Sequence, residues 1–267
     1  MKKFFFFLIL FVCDLPLATG SNSKKNSVVI VPDLMKIPSN ILRFHIKFPE
    51  DVAPELVRTG VLISDEAEGG ESDFFLKTPQ ELWSSDSRTL TVYLNPARVK
   101  STLREFQNHG SHFTLDQTYR IKILPVYRNQ SGQQITHSVI EKSFSITSPQ
   151  KNPLKIKNWK TSVWTDRSGR LIIDLNFDQP MDERSALAWV SVIKNGLPVD
   201  GESGLSRNGY LWRFKSHRAS EPGTYQLVVS ESLEDIAGNR VSRSFEWREE
   251  GRDSPSFHVI KTFVYPG

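Results

Sequence analysis

"EPGTYQLVVSESLEDIAGNRV", residues 221–241, joins an alternating apolar run to a cluster of turn-forming residues. Tyr225, Leu227 and Val229 recur every second position, as a half-buried strand requires. In the cluster that follows, Gly238 is suited to positive φ, and the short polar side chains of Asp235 and Asn239 can bond nearby backbone amides. The stretch predicts a structural turn built on Asp235, Gly238 and Asn239, between the strand "TYQLVV" and a final strand "VSRSFEW". Its acids raise a second question, because Glu234 and Asp235 could offer oxygens to calcium.

The same alternation runs through the chain. "ILRFHIKF" (41–48) places Leu42, Phe44, Ile46 and Phe48 on one face and leaves His45 facing solvent. "RTLTVYL" (88–94), "TYRIKIL" (118–124), "RLIIDLNF" (170–177) and "YLWRF" (210–214) repeat the pattern. Gly, Asn, Pro and Asp clusters punctuate these runs, so the predicted class is all-β, an antiparallel sandwich. One exception is "NPARVKSTLREF" (95–106), where Asn95 and Pro96 open a short helix carrying Val99, Leu103 and Phe106. A helical turn capped by Asp182 is expected in "MDERSALAWV" (181–190).

The two halves read as copies. "FHIKFPEDV" (44–52) matches "IDLNFDQPMD" (173–182), and "QTYRIKI" (117–123) matches "GTYQLVV" (223–229). Tyr119 precedes Gly132 by the same interval that separates Tyr225 from Gly238, and "SFSI" (143–146) is followed in the second half by "SFEW" (244–247). A duplication predicts two tandem domains, 21–148 and 149–267, joined through "TSPQKNP" (147–153).

"DLNFDQPMD", "GTYQLVV" and "LEDIAGN", taken in order, resemble the bacterial Ig-like domain of S-layer and other envelope proteins, the SbsA Ig-like domain. The first half carries looser counterparts at Phe48-Pro49-Glu50-Asp51, Gln117-Thr118-Tyr119 and Gln130-Ser131-Gly132-Gln133. The resemblance implies two Ig-like sandwiches and a cell-envelope location, and it implies no activity, because domains of this type serve as spacers, adhesion modules or accessory domains.

Residues 1–20, "MKKFFFFLILFVCDLPLATG", read as an export signal: Lys2 and Lys3 precede an apolar run too short to span a bilayer. Cleavage after Gly20 would remove Cys13, the chain's single cysteine, and leave an exported protein without thiol chemistry. A rival reading makes Cys13 a lipid-attachment site, although Val12 stands where a lipobox carries a small residue. The net charge of +4 is spread along the chain, which argues against a nucleic-acid partner.

Catalytic patterns are weak. "GESG" (201–204) falls one residue short of a nucleophile elbow and is expected in a hairpin loop. His109 and His112 in "HGSH" lack a third ligand in a recognisable pattern, and "SDEAEGGESD" (64–73) lacks the spacing of a calcium loop. No metal or cofactor is expected. Aromatic residues are the better lead, since the chain has six tryptophans. Trp159 and Trp164, beside the linker, are the candidate ligand-binding residues, marking an interdomain contact or an exposed patch that could stack on sugar rings. The expected role is a non-catalytic structural or binding module of the envelope, monomeric or weakly associating. Envelope polysaccharide or another envelope protein is the expected partner, and accessory carbohydrate recognition through tryptophans is the alternative role.

Overall fold

A computed structural model describes residues 27–53, 60–66, 71–72, 74–76, 82–241, 243, 245 and 256–265. The expected export signal, Cys13 and Trp247 lie outside these residues, as does part of "SDEAEGGESD".

The first sandwich contains β1 (Val29–Val31), β2 (Lys36–Pro38), β3 (Arg43–Lys47), β4 (Val61–Asp65), β5 (Glu71–Ser72), β6 (Leu82–Trp83), β7 (Thr89–Tyr93), β8 (Thr118–Ile123) and β9 (Ile140–Thr147). Its two sheets have the orders β1-β3-β7-β6 and β2-β9-β8-β4-β5, with β2 and β9 parallel and the other pairs antiparallel. The second sandwich contains β10 (Lys160–Thr165), β11 (Arg170–Asn176), β12 (Val190–Lys194), β13 (Leu197–Pro198), β14 (Gly201–Leu205), β15 (Leu211–Ala219), β16 (Gly223–Ser230) and β17 (Phe257–Tyr265). Its sheets run β10-β11-β15-β14 and β13-β12-β16-β17. With the strands lettered along each half, both sandwiches give an A-B-E-D sheet opposite a sheet centred on C, F and G. This is immunoglobulin topology.

The alternating residues explain the cores. Phe44, Ile46, Leu90, Ile121, Ile123 and Phe144 fill the first, and Leu171, Ile173, Leu175, Trp212, Leu227 and Val229 fill the second. At about 25 cal/mol per Å² of apolar area removed from water, these facing stripes supply the main attraction between the sheets of each sandwich. A tyrosine ties the start of the F-equivalent strand to upstream backbone in each half: Tyr225 Oη donates to Glu221 O at 2.7 Å, and Tyr119 Oη accepts from Thr114 N at 3.0 Å.

Three details differ from the sequence reading. The predicted helix at 95–106 is instead a 3₁₀ turn, Pro96–Arg98, capped by Asn95, followed by α1 (Arg104–His109). "GESG" lies in β14 rather than in a hairpin loop, paired with β15 through Glu202↔Lys215 and Gly204↔Arg213. The strand that pairs with β16 is β17, and most of "VSRSFEW" lies outside the described residues. The strand register of β17 shifts between Leu227 and Val228 of its partner, which breaks the simple alternation in "FHVIKTFVY". By contrast, α2 (Glu183–Trp189) starts where Asp182 was read as its cap, with Asp182 Oδ1 accepting from Ser185 N at 2.8 Å.

Candidate functional site

The turn in "LEDIAGN" is built from its own side chains. Asp235 Oδ1 accepts from Ala237 N at 2.9 Å and from Asn239 N at 2.8 Å, while Gly238 adopts φ 80°. The first sandwich repeats this arrangement with an amide: Asn129 Oδ1 accepts from Ser131 N at 3.0 Å and Gln133 N at 2.9 Å, and Gly132 has φ 78°. One Asx-type turn therefore closes the same corner in both halves.

The second copy does more than turn the chain. Ile236, 3% exposed, is buried in the core of the first sandwich, and its carbonyl accepts from Leu42 N at 3.0 Å. A Cβ on Gly238 would lie 2.3 Å from Leu42 Cδ1, whereas nothing lies within 4 Å of one on Gly132. Gly238 thus serves both a left-handed backbone and a close approach between domains.

A charged junction surrounds this wedge. Arg43, His45 and Lys47 alternate along β3, opposite the inward-facing Phe44 and Ile46. Arg43 Nε and His45 Nε2 meet Asp182 Oδ2 at 2.8 and 2.7 Å. Arg43 also donates to Glu234 Oε2 at 2.6 Å, and Lys47 Nζ to Glu183 Oε1 at 3.0 Å. His45 is 2% exposed, so its expected place on a solvent face is corrected: the second domain covers that face. Burial by itself would raise the Asp182 carboxyl, but bonding and attraction from His45 and Arg43 outweigh it and hold the group well below the usual carboxylate range. Burial likewise opposes charge on Arg43, and Asp182 and Glu234 reverse that, keeping the guanidinium firmly charged.

The linker is fastened to both domains. Asn40 Nδ2 donates to Gln150 O at 2.7 Å, Gln150 N returns a bond to Asn40 Oδ1 at 2.8 Å, and Asn239 Nδ2 donates to Gln150 O at 3.0 Å. Gln150 Nε2 then donates to Gln179 Oε1 at 2.6 Å, and Gln179 Nε2 to Asp235 Oδ2 at 2.8 Å. Asp235 receives a fourth bond, 2.9 Å, from Asn239 Nδ2. Burial pushes its carboxyl up to about 7, against the pull of Asn239 and the backbone amides.

Beside the junction lies a groove of about 520 Å³, between the outer face of β3 and β7 and the exposed side of α2. Arg43, Tyr93, Arg184, Trp189, Glu234 and Arg240 are among the residues that line it. Both oxygens of Glu234 are engaged, Oε2 by Arg43 and Oε1 by Arg240 at 3.0 and 2.9 Å, so its carboxylate is spent on guanidinium groups. Among the described residues no group of three or more His, Cys, Asp or Glu could hold a metal ion. His109 ends α1, and His112 lies 5.4 Å from the Phe74 ring.

The two candidate tryptophans have different surroundings. Trp159 is 8% exposed in the second core, edge-on to Phe177, with Nε1 donating to Asp178 Oδ1 at 3.1 Å. Its ring is a core element rather than an exposed stacking face, because Phe177 and its neighbours cover it. Trp164 is 40% exposed on β10, an edge strand, with the Arg213 guanidinium 5.6 Å above its ring. The structure does not bring the two together as one patch with Arg43, His45, Asp182 and Ile236, the residues that build the junction. The available sequence signal was the Arg-His-Lys alternation on β3 and the acids of "FDQPMDE", two complementary stripes in opposite halves.

No protein-family model matches the chain, and no curated protein matches it. Among solved structures, the chain is similar to a chimeric titin Z1Z2 tandem at 10% identity and TM-score 0.20, covering 73% of this chain and 84% of that one. It is similar to a titin A168169 structure at 9% identity and TM-score 0.21, covering 86% and 92%. It is also similar to murine CEACAM1b at 10% identity and TM-score 0.18, covering 76% and 92%. The Ig-like assignment rests on the strand orders and registers of the two sandwiches themselves.

Proposed function

We propose that this chain is an exported, non-catalytic module of the bacterial cell envelope, in which domains 21–148 and 149–267 act as one stiff spacer or display unit. The observation that carries the reading is the burial of Ile236 of the second domain in the core of the first. A tandem meant to swing would keep such an apolar side chain out of its neighbour, since exposing it on each opening costs about 1.5–3 kcal/mol.

The ordered motifs "DLNFDQPMD", "GTYQLVV" and "LEDIAGN" support the envelope setting, and the basic and apolar character of residues 1–20 supports export. Envelope polysaccharide or another envelope protein is the proposed partner. Among the described residues no helix is long and apolar enough to cross a membrane. Cell fractionation followed by N-terminal sequencing tests this. The expected result is an envelope or secreted protein starting near Ser21. Retention in the cytoplasm with Met1 in place overturns the export reading, and a lipid-blocked N-terminus at Cys13 replaces cleavage after Gly20 by lipidation.

A further inference from the structure

We infer that the groove between β7 and α2 binds an acidic saccharide, held by Arg184 through a carboxylate and by the ring face of Trp189. Asp182 and Glu234 are consumed by Arg43, His45 and Arg240, so the carboxylates in the groove are already matched. Arg184, exposed on α2, is the third arginine of the lining, and among the described residues its one hydrogen bond runs from Nη1 to Thr91 Oγ1 at 3.5 Å, the outer limit of such a contact. The groove therefore carries a guanidinium beyond what its own acids neutralise. A guanidinium fork matches a carboxylate in two parallel hydrogen bonds, more strongly than it matches a neutral hydroxyl.

The remaining lining fits a sugar ring better than an extended chain. Trp189 offers a flat, partly exposed ring, Ser232 brings a hydroxyl to the same space, and the Arg43 guanidinium lies 5.4 Å over the Tyr93 ring. A flat apolar face beside scattered polar groups suits a pyranose, which has an apolar face and a polar edge. A volume of about 520 Å³ is in the range of small-ligand sites and accommodates one or two such rings. The walls are also held in place, because β3, β7 and α2 are joined by the Arg43, His45 and Asp182 cluster. A preformed groove spares a ligand the cost of ordering its site.

This inference deepens the envelope reading by naming the class of polysaccharide that such a module would meet. The test titrates the exported chain with a trisaccharide of α-1,4-linked galacturonate and with its neutral galactose counterpart, at equal ionic strength, reading tryptophan fluorescence and calorimetric heat. The expected result is saturable binding of the acidic sugar alone, weakened about tenfold or more in Arg184→Gln, as loss of a hydrogen bond to a charged group implies. Arg218→Gln, which lines a separate depression in the second sandwich, should bind as wild type. Trp189→Phe should lose much of the fluorescence change and keep the dependence on sugar charge. Equal binding of both sugars, unchanged affinity in Arg184→Gln, or displacement by an equal concentration of inorganic phosphate would each overturn the assignment. Absent binding by a chain that fractionates with the envelope removes this inference alone, whereas cytoplasmic retention removes the setting it rests on.

Discussion

His45 and Asp182 stand 137 positions apart and meet at 2.7 Å across the boundary between two sandwiches, both almost fully buried. Taking two such groups out of water is costly unless each is well partnered. Here Asp182 accepts from His45, from Arg43 and from the first turn of α2, and His45 reaches Thr91 Oγ1 at 3.0 Å with its other ring nitrogen. Asp182→Ala is expected to destabilise the protein by about 3–5 kcal/mol, the usual cost of leaving buried charge unpaired. Urea unfolding of the two proteins checks this. A change below about 1 kcal/mol, the range of exposed pairs, would mean that the junction is open to water in solution.

Glycines 132 and 238 give an internal control, since both have φ near 80° but only one faces the other domain. Gly132→Ala should cost about 1–3 kcal/mol for the strained backbone. Gly238→Ala adds a methyl 2.3 Å from Leu42 Cδ1 and should cost more, by the roughly 1–3 kcal/mol typical of overpacking. Equal losses in thermal or urea unfolding would show that the domains do not touch there.

Ile236→Ala should lower stability by about 2–5 kcal/mol, as for other large-to-small changes in cores. The informative readout is where the loss falls. Hydrogen exchange should accelerate at Leu42 N, which donates to Ile236 O, and in the neighbouring residues of β3. Acceleration confined to the second sandwich would contradict the placement of this side chain.

Two buried aspartates give opposite pH dependence. The Asp182 carboxyl is held below its ordinary range, so its contribution is full above a pH of about 4 and is lost as the pH falls further. The Asp235 carboxyl is raised to about 7, so its contribution is full below a pH of about 4 and is lost as the pH rises through 7. Stability should therefore decline on both sides of mildly acidic pH. Asp235→Asn, which places there the residue type found at 129, should flatten the neutral limb, although its amide then faces the donors of Asn239 and Gln179. Unfolding midpoints from pH 3 to 8 check the signs, and an unchanged neutral slope in the variant would remove Asp235 as its cause.

Much of the fold is legible in the sequence because burial of one sheet face imposes period two. Phe44 and Ile46 announce β3, and Tyr225 and Leu227 announce β16, whatever surrounds them. What covers the other face is not written in that period. Arg43, His45 and Lys47 look the same in sequence whether water or Asp182 and Glu183 lies opposite, so His45 read as exposed. "IAGN" shows the same limit: Gly238 and Asp235 reveal the turn through local chemistry, while Ile236 reveals its destination only when the first sandwich is in place. Trp159 illustrates it again, since a tryptophan near a linker has no local mark of being buried. The strand β17 was obscured for a different reason, because its bulge disrupts alternation and the repeat pointed to "SFEW" instead.

The central claim, that the two sandwiches form one locked unit, is tested most directly by calorimetric unfolding of the protein. A locked junction predicts one transition whose calorimetric and van't Hoff enthalpies agree, splitting into two when Ile236→Asp opens the wedge. Two separate transitions in the wild type, or a calorimetric enthalpy about twice the van't Hoff value, would show that the domains melt independently and would contradict the account.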